Sequence, residues 1–483
     1  MSSSPIAPAS QTGSLDPVDL EGFRREAHRM LDDAIDYVAT IRERAVWQPL
    51  GPQVRSRFRA AQPAEPTPLS AVYQDFLDTI RPYTVGNVHP AFMGWVHGGG
   101  TLEGMLAEML AGALNANCGG RDHAPIEVER QIVAWARDWF GWPDTAAGLF
   151  VTGSSMANLI AVLTARRWAL GDAVRSHGLG TQGARLTAYA SSAAHACIPR
   201  ALDYVGLGHE ALRRVAVDRE HRIDLARLRE VIAADRAAGQ QPFLLVGTAG
   251  SVDVGAFDDL RALAAFAAEQ HLWFHVDGAF GALGILCPDI APLLAGLESA
   301  DSLALDFHKW GQVQYDAGFV LVRDGALQRA AFAAPAQYLQ RASHGLAAGE
   351  HWPNDYGPDL SRGFRALKTW VTLRVHGTRR LGEMMGETCR IARHLAARVA
   401  AEPELELLAP VPLNIVCFRF RHGDADRLNA RIVADLQDSG IAAPSTTRID
   451  GKLAIRAAIF NHRTQQHDVE QLVEAVLRLG RGA

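Results

Sequence analysis

Ser302-Leu303-Ala304-Leu305-Asp306-Phe307-His308-Lys309-Trp310 is a short apolar, strand-like run that ends in His-Lys-Trp. Its lysine is one of only three in 483 residues, the others being Lys368 and Lys452, whereas 45 of the 48 basic side chains are arginine. A lysine just past a buried strand is poorly explained as solubilising charge when arginine fills that role everywhere else. The two side chains differ in chemistry. An amine can lose its proton and attack a carbonyl, while a guanidinium stays charged. Lys309 therefore reads as a Schiff-base lysine for an aldehyde cofactor, against the plainer reading of a strand-end lysine facing water.

Upstream, Leu272-Trp273-Phe274-His275-Val276-Asp277 is apolar, aromatic and β-branched, the composition of a buried strand, and it ends in a carboxylate. Gly278-Ala279-Phe280-Gly281 follows, with small residues that let a flat group lie close to the backbone. Alone, a strand-end Asp is as well read as a helix cap. Paired with Lys309 it suits pyridoxal phosphate, whose ring nitrogen needs a carboxylate to stay protonated and whose aldehyde needs a lysine.

Two further pieces stand earlier in the chain. Gly148–Thr152 reads as a strand, Gly153-Ser154-Ser155 as a turn, and Met156–Leu163 as a helical run. A strand, a Gly/Ser turn and a helix start aim unpaired amides and a positive dipole end at one spot, which suits phosphate. The same residues also cap ordinary helices. His195, in Ser191-Ser192-Ala193-Ala194-His195-Ala196-Cys197, is a lone imidazole among small residues. Its position between the phosphate loop and the Asp277 strand makes it a candidate for stacking on the cofactor ring; a structural histidine is the plainer reading.

These motifs, with Thr248-Ala249-Gly250-Ser251 and Ala300-Asp301-Ser302, resemble the group II pyridoxal-phosphate-dependent decarboxylases, the family of the aromatic-L-amino-acid decarboxylases. The likeness runs from an amphipathic N-terminal helix to Leu453-Ala454-Ile455-Arg456. It implies an α/β fold of the fold type I (aspartate-aminotransferase-like) class, with a mostly parallel large-domain sheet. It implies Lys309 as the Schiff-base lysine, Asp277 at the ring nitrogen, His195 over one ring face, Ala279 against the other, and Thr248 near the phenolic oxygen. Ser154, Ser155, Asp306 and His308 would surround the phosphate. Trp95, His97, Asn115 and Asn117 would form the substrate pocket, contributed by the neighbouring subunit of a homodimer. Arg121, Asp122 and His123 lie close by, to contact a polar substrate side chain or only the dimer partner.

The composition sets outer limits. Hydrophobic content of 48% and charged content of 21% fit an ordinary globular protein, and a net charge of −5 offers no basic surface for nucleic acid or anionic lipid. No run approaches the about 18 apolar residues of a membrane helix. The N-terminus lacks a secretory pattern. Cys118, Cys197, Cys287, Cys389 and Cys417 are odd in number and widely spaced, as reduced buried thiols and not as a disulfide framework or metal site. A cytoplasmic enzyme without a metal fits all of this.

Four segments are expected. Residues 1–15 form a disordered tail and 16–85 a helical arm that embraces the dimer partner. The large cofactor-binding domain spans 86–385, and a small C-terminal α/β domain spans 386–483. Asp16-Pro17 reads as the start of the arm helix, whose apolar positions Leu20, Phe23, Ala27, Met30, Ala34, Val38 and Ile41 need a partner, in the second subunit or in their own domain.

The expected reaction is decarboxylation of an L-amino acid, most simply an aromatic one, to its amine. The proton donor is the open point. Relatives use a tyrosine in a mobile loop, here Gln340–Gly363, but its aligned position falls on Trp352 or Pro353, with Tyr356 just beyond. Tyr356 is the candidate donor. The alternatives are an aldehyde-forming enzyme on the same fold, a decarboxylase of polar or acidic amino acids, and a non-catalytic relative. The last has no need of Lys309, Asp277 and His195 together.

Overall fold

The computed structural model describes residues 14–333, 341–349 and 351–482. Most of the expected tail, together with Gln340 and Glu350 of the expected loop, lies outside the described residues.

The two-residue strand β1 (Phe92–Met93) precedes seven strands that pair with one another. These are β2 (Ala147–Val151), β3 (Leu186–Ser191), β4 (Leu212–Val215), β5 (Gln241–Thr248), β6 (Trp273–Asp277), β7 (Ser302–Asp306) and β8 (Gly318–Val322). Their spatial order is β2-β8-β7-β6-β5-β3-β4, and only β8 runs against the rest. Alternation along each strand feeds two cores. Leu149 and Val151 of β2 enter one, with Ala188, Ala190, Leu244 and Val246. Phe150, Tyr189 and Leu245 enter the other. Both faces are therefore apolar, which is why the strands read as continuous hydrophobic runs. Helices Ser154–Leu170 and Cys197–Tyr204 cover one face, and Ala124–Phe140, Leu225–Ala237 and Leu260–Gln270 cover the other.

One consequence positions the site. Parallel strands put their C-terminal ends on one edge, so Thr248, Asp277, Asp306 and the turns after Ser191 and Val151 all meet there. Antiparallel β8 starts at the same edge, and its first residue touches the phosphate-loop candidate. A Cβ on Gly318 would stand 2.3 Å from the Gly153 Cα, so only glycine fits that crossing.

A second sheet has the order β1-β11-β12-β10-β9, from β9 (Leu405–Leu407), β10 (Ile415–Phe420), β11 (Ala443–Ile449) and β12 (Lys452–Ala458). A hairpin turn at Asp450-Gly451 joins β11 to β12, both residues having positive φ, 48° and 78°. Two features cut across the expected division at residue 385. β1 lies in the segment expected for the large domain yet pairs with β11. The helix Arg365–Ala401 runs through the division, with a break in helical geometry at Gly377 (φ 71°).

The arm helix spans Leu20–Ala39 and starts later than Asp16-Pro17 suggested. Asp19 is its cap, its carboxylate accepting from the Gly22 amide at 2.8 Å. None of its residues is buried; Leu20, Phe23 and Ile35 stay exposed, although Asp33 accepts a hydrogen bond from Tyr73 Oη of the helix Leu69–Thr79 at 3.0 Å. All five cysteines are free and buried.

Candidate active site

A cavity of about 320 Å³ opens at the strand-end edge. Ser154, Ser155, His195, Thr248, Asp277, Ala279, Asp306, His308 and Lys309 all line it, as do Trp95 and His97. Every expected cofactor residue is thus brought to one place from five separate stretches of chain.

Lys309 leaves the turn after β7, and its Nζ lies 2.9 Å from Asp306 Oδ2. Burial by itself would drive the amine toward neutrality, but the Asp306 charge and hydrogen bond, aided by Asp277, hold its pKa above the ordinary lysine value. The other Asp306 oxygen accepts from the Ser154 amide at 2.6 Å. Asp306 therefore pins the first turn of the helix Ser154–Leu170 to the lysine turn. Its carboxylate faces partners of positive character and serves as a brace between loop and lysine. His308 Nδ1 accepts from the Ala317 amide at 2.9 Å, which fixes the ring, and burial lowers its pKa to about 4.

Asp277 ends β6, with Oδ1 accepting from the Ala279 amide at 3.3 Å and Oδ2 facing Cys197 Sγ at 3.8 Å. Thr248 ends β5, its amide held by Asp258 Oδ2 at 2.8 Å. The Thr248 hydroxyl is buried and has no hydrogen-bond partner. A buried orphan of this kind costs about 1–3 kcal/mol unless a ligand satisfies it, so the cavity fits a cofactor with an acceptor at that point. His195 sits in the turn after β3, with Nδ1 accepting from the Cys197 amide at 3.2 Å.

The expected substrate residues divide. Trp95 and His97 join Phe92, Tyr315 and His308 in one aromatic wall. Ring centroids are 6.0 Å apart for Phe92–Trp95, 5.6 Å for Phe92–His97, 5.6 Å for His97–Tyr315 and 4.2 Å for His308–Tyr315. Asn115 and Asn117 do not line the cavity of their own chain. Asn115 caps the helix Leu102–Leu114 at φ 44°, and the Asn117 side-chain oxygen accepts from the Gly119 and Arg362 amides, both at 3.0 Å. Arg121 lies over the Trp352 ring, the Asp122 amide donates to the Leu346 carbonyl, and His123 caps the helix Ala124–Phe140.

The described part of the loop is anchored at Trp352 and Arg362. Trp352 is buried against Gly120, and its indole donates to the Ala348 carbonyl at 3.0 Å. Arg362 is buried in a two-pronged pair with Glu129 (3.1 and 2.6 Å) and also donates to the Phe150 carbonyl. Tyr356 lies outside the cavity wall, its carbonyl accepting from Gln328 Nε2 at 2.8 Å.

Two wall residues were not singled out from sequence. Tyr315 sits between the lysine turn and β8, a placement that follows from its spacing to His308. Arg456 lies within the buried part of Lys452–Ala458, and a charge inside an apolar strand was the available signal. Its guanidinium donates to the Gly94 carbonyl at 2.7 Å and the Val252 carbonyl at 2.6 Å, tying the second sheet to the cavity rim.

A lysine facing a strand-end carboxylate, at the C-terminal edge of a mostly parallel sheet, fits a pyridoxal-phosphate enzyme. Comparison with known proteins agrees. The pyridoxal-dependent decarboxylase conserved domain matches residues 52–421, and the chain belongs to that family. It is 31% identical to an aromatic-L-amino-acid decarboxylase of Bacillus atrophaeus, over 81% of each chain. It is 26% identical to a phenylacetaldehyde synthase of Arabidopsis thaliana, over 95% of each. Among solved structures it resembles the glutamate decarboxylase domain of a diaminobutyrate-pyruvate transaminase and L-2,4-diaminobutyrate decarboxylase from Vibrio parahaemolyticus. That match has a TM-score of 0.85 and 26% identity, over 97% of this chain and 98% of that one. The protein is a pyridoxal-phosphate-dependent amino-acid decarboxylase by family and fold. Among the described residues there is no cluster fit to hold a metal, and no helix is long and apolar enough to cross a membrane.

Proposed function

We propose that the protein decarboxylates an aromatic L-amino acid to its amine. The observation that carries this reading is the unbroken aromatic wall from Trp95 through His97 and Tyr315 to His308, on the rim above Lys309. Offset and edge-on rings favour a further ring by about 0.5–1.5 kcal/mol each beyond area burial.

Pyridoxal phosphate, when bound, supplies an electron-accepting ring into which the electrons of the broken C–C bond are drawn. In our reading Lys309 would hold the cofactor aldehyde. Asp277 keeps a proton on the ring nitrogen. His195 would cover one ring face, Ala279 would back the other, and the orphaned Thr248 hydroxyl would donate to the phenolic oxygen. Ser154 and Ser155 hold the phosphate at the helix start, with His308 beside them and Asp306 bracing the loop.

The domain division at 385, with its arm at 16–85, and a cytoplasmic location belong to the same proposal, as does a homodimer. The exposed Leu20, Phe23 and Ile35 of the arm helix support a second copy as the partner of that face.

A purified-enzyme screen of amino acids, scoring carbon dioxide, amine, aldehyde and hydrogen peroxide together, tests the proposal. Amine from aromatic substrates is the expected result, and turnover confined to acidic or diamino substrates would refute it. An aldehyde-forming reaction is favoured by one observation, the placement of Trp352, Pro353 and Tyr356 away from the cavity wall.

A further inference from the structure

Behind Asp277 runs a line of buried polar side chains with no part in the reaction as described. Trp273 Nε1 donates to Ser302 Oγ at 2.8 Å, and that oxygen lies 2.9 Å from His275 Nδ1. His275 Nε2 is 2.6 Å from Asn158 Oδ1, Asn158 Nδ2 donates to Cys197 Sγ at 3.2 Å, and Cys197 Sγ reaches Asp277 Oδ2 at 3.8 Å. Asn158, His275 and Ser302 are wholly buried and Cys197 nearly so, so their partners are one another and nearby backbone groups.

The chemistry of the members sets a direction. An indole only donates, so the Ser302 hydroxyl is left to give its own proton to Nδ1. Burial lowers the His275 pKa to about 4, so the ring is neutral, and the Asn158 oxygen 2.6 Å from Nε2, which can only accept, assigns the single proton to Nε2. The asparagine amide then donates to sulfur. Burial, reinforced by the Asp277 charge, pushes the Cys197 pKa far above the usual thiol range, so its proton stays on and points at Asp277. Every bond in the line ends, in the same sense, on the carboxylate. A thiol is a weak donor, and it fixes Oδ2 while drawing little charge from it.

We propose that this one-way line, Trp273-Ser302-His275-Asn158-Cys197, holds the Asp277 carboxylate in its working orientation, and that Cys197 is a positioning residue for it. The inference rests on the reading that Asp277 faces the cofactor ring nitrogen.

The test uses holoenzyme carrying pyridoxal phosphate labelled with nitrogen-15 in the ring, compared at neutral pH between wild type, Cys197→Ser, Cys197→Ala and Asn158→Ala. Wild type and Cys197→Ser should show the protonated ring-nitrogen shift. In Cys197→Ala the shift should move toward the unprotonated position, and kcat should fall about tenfold, the effect of one pKa unit at the carboxylate, with KM little changed. Asn158→Ala cuts the line one link back and should move the shift the same way by less; it carries the test if Cys197→Ala does not fold. A wild-type shift and kcat in both alanine variants would overturn the proposal. So would a loss in Cys197→Ala that serine does not rescue, or an Nδ1 proton on His275 bound to the Ser302 carbonyl, which lies 3.2 Å away. An unprotonated ring already in wild type would instead bring down the Asp277 assignment beneath it.

Discussion

The floor of the cavity and its outer wall are built in different ways. On the floor, Thr248, Asp277 and Asp306 each end a strand of one sheet, are nearly inaccessible, and are held by the Asp258 carboxylate, the Ala279 amide and Lys309 respectively. In the outer wall, Trp95 and Tyr315 are about half exposed, at 52% and 49%, and their neighbours are other rings. The floor is fixed by strand pairing, which also carries the core, so its geometry comes with the fold. The wall is assembled from loops and β1, which answer to separate packing, so it can vary without disturbing the floor. The same fold can thus keep one cofactor and change its substrate.

The comparison can be broken most forcefully at Lys309. Lys309→Ala should lower turnover about ten-thousandfold or more, while Trp95→Ala should mainly raise KM. Borohydride reduction of wild type followed by peptide mapping should find the pyridoxyl group on Lys309. A label on Lys368 or Lys452 would mean that the floor has been misplaced.

Next comes the joint between floor and loop. Arg362→Met leaves Glu129 buried without its partner, and denaturant unfolding should register a loss of about 3–5 kcal/mol. A loss below 1 kcal/mol would make that pair no better than a surface bridge.

Asp277→Asn keeps the shape of the floor and removes its charge. A fall in kcat of about a hundredfold, with the cofactor still bound, is expected from the lost electrostatic stabilisation.

Acid probes two buried histidines. His275 and His308 take up protons in the folded chain only near pH 4, against an ordinary 6.5. Their stabilising contribution is present above pH 6.5 and drains away as pH falls toward 4, because the unfolded chain binds the protons first. Replacing His308 by Asn should flatten that decline by roughly 1.4 kcal/mol per pH unit, read from denaturation midpoints across the range.

The smallest effect sharpens the wall. Tyr315→Phe should shift the amine-to-aldehyde ratio a few-fold, roughly what one weak hydrogen bond is worth, and more than Tyr356→Phe does. The reverse order would restore Tyr356 as the donor.

The same division governs what could be read from the chain. Lys309, Asp277, Thr248 and the Gly153-Ser154-Ser155 turn were legible because the chemistry demands particular residue types at strand ends, and strands announce themselves by apolar runs. Asn117 was legible as a polar residue but not as the acceptor for the Arg362 amide, since that bond spans 245 positions. Trp352 and Arg362 looked like loop residues because burial against Gly120 and Glu129 is invisible to local composition. The arm helix was placed early because Asp16-Pro17 and Asp19 are both acceptable starts, and only the reach of the Asp19 carboxylate to the Gly22 amide decides between them.

The scarcity of lysine has a practical side. Lys309 is enclosed in the cavity, Lys368 is buried and paired with Glu108, and Lys452 alone stands exposed, on the hairpin of the second sheet. Reactive aldehydes, including any the enzyme releases and stray pyridoxal phosphate itself, therefore meet a surface with a single lysine amine to modify. That same amine, outside the cavity wall, gives a chemist one lysine address at which to tether the protein to a support.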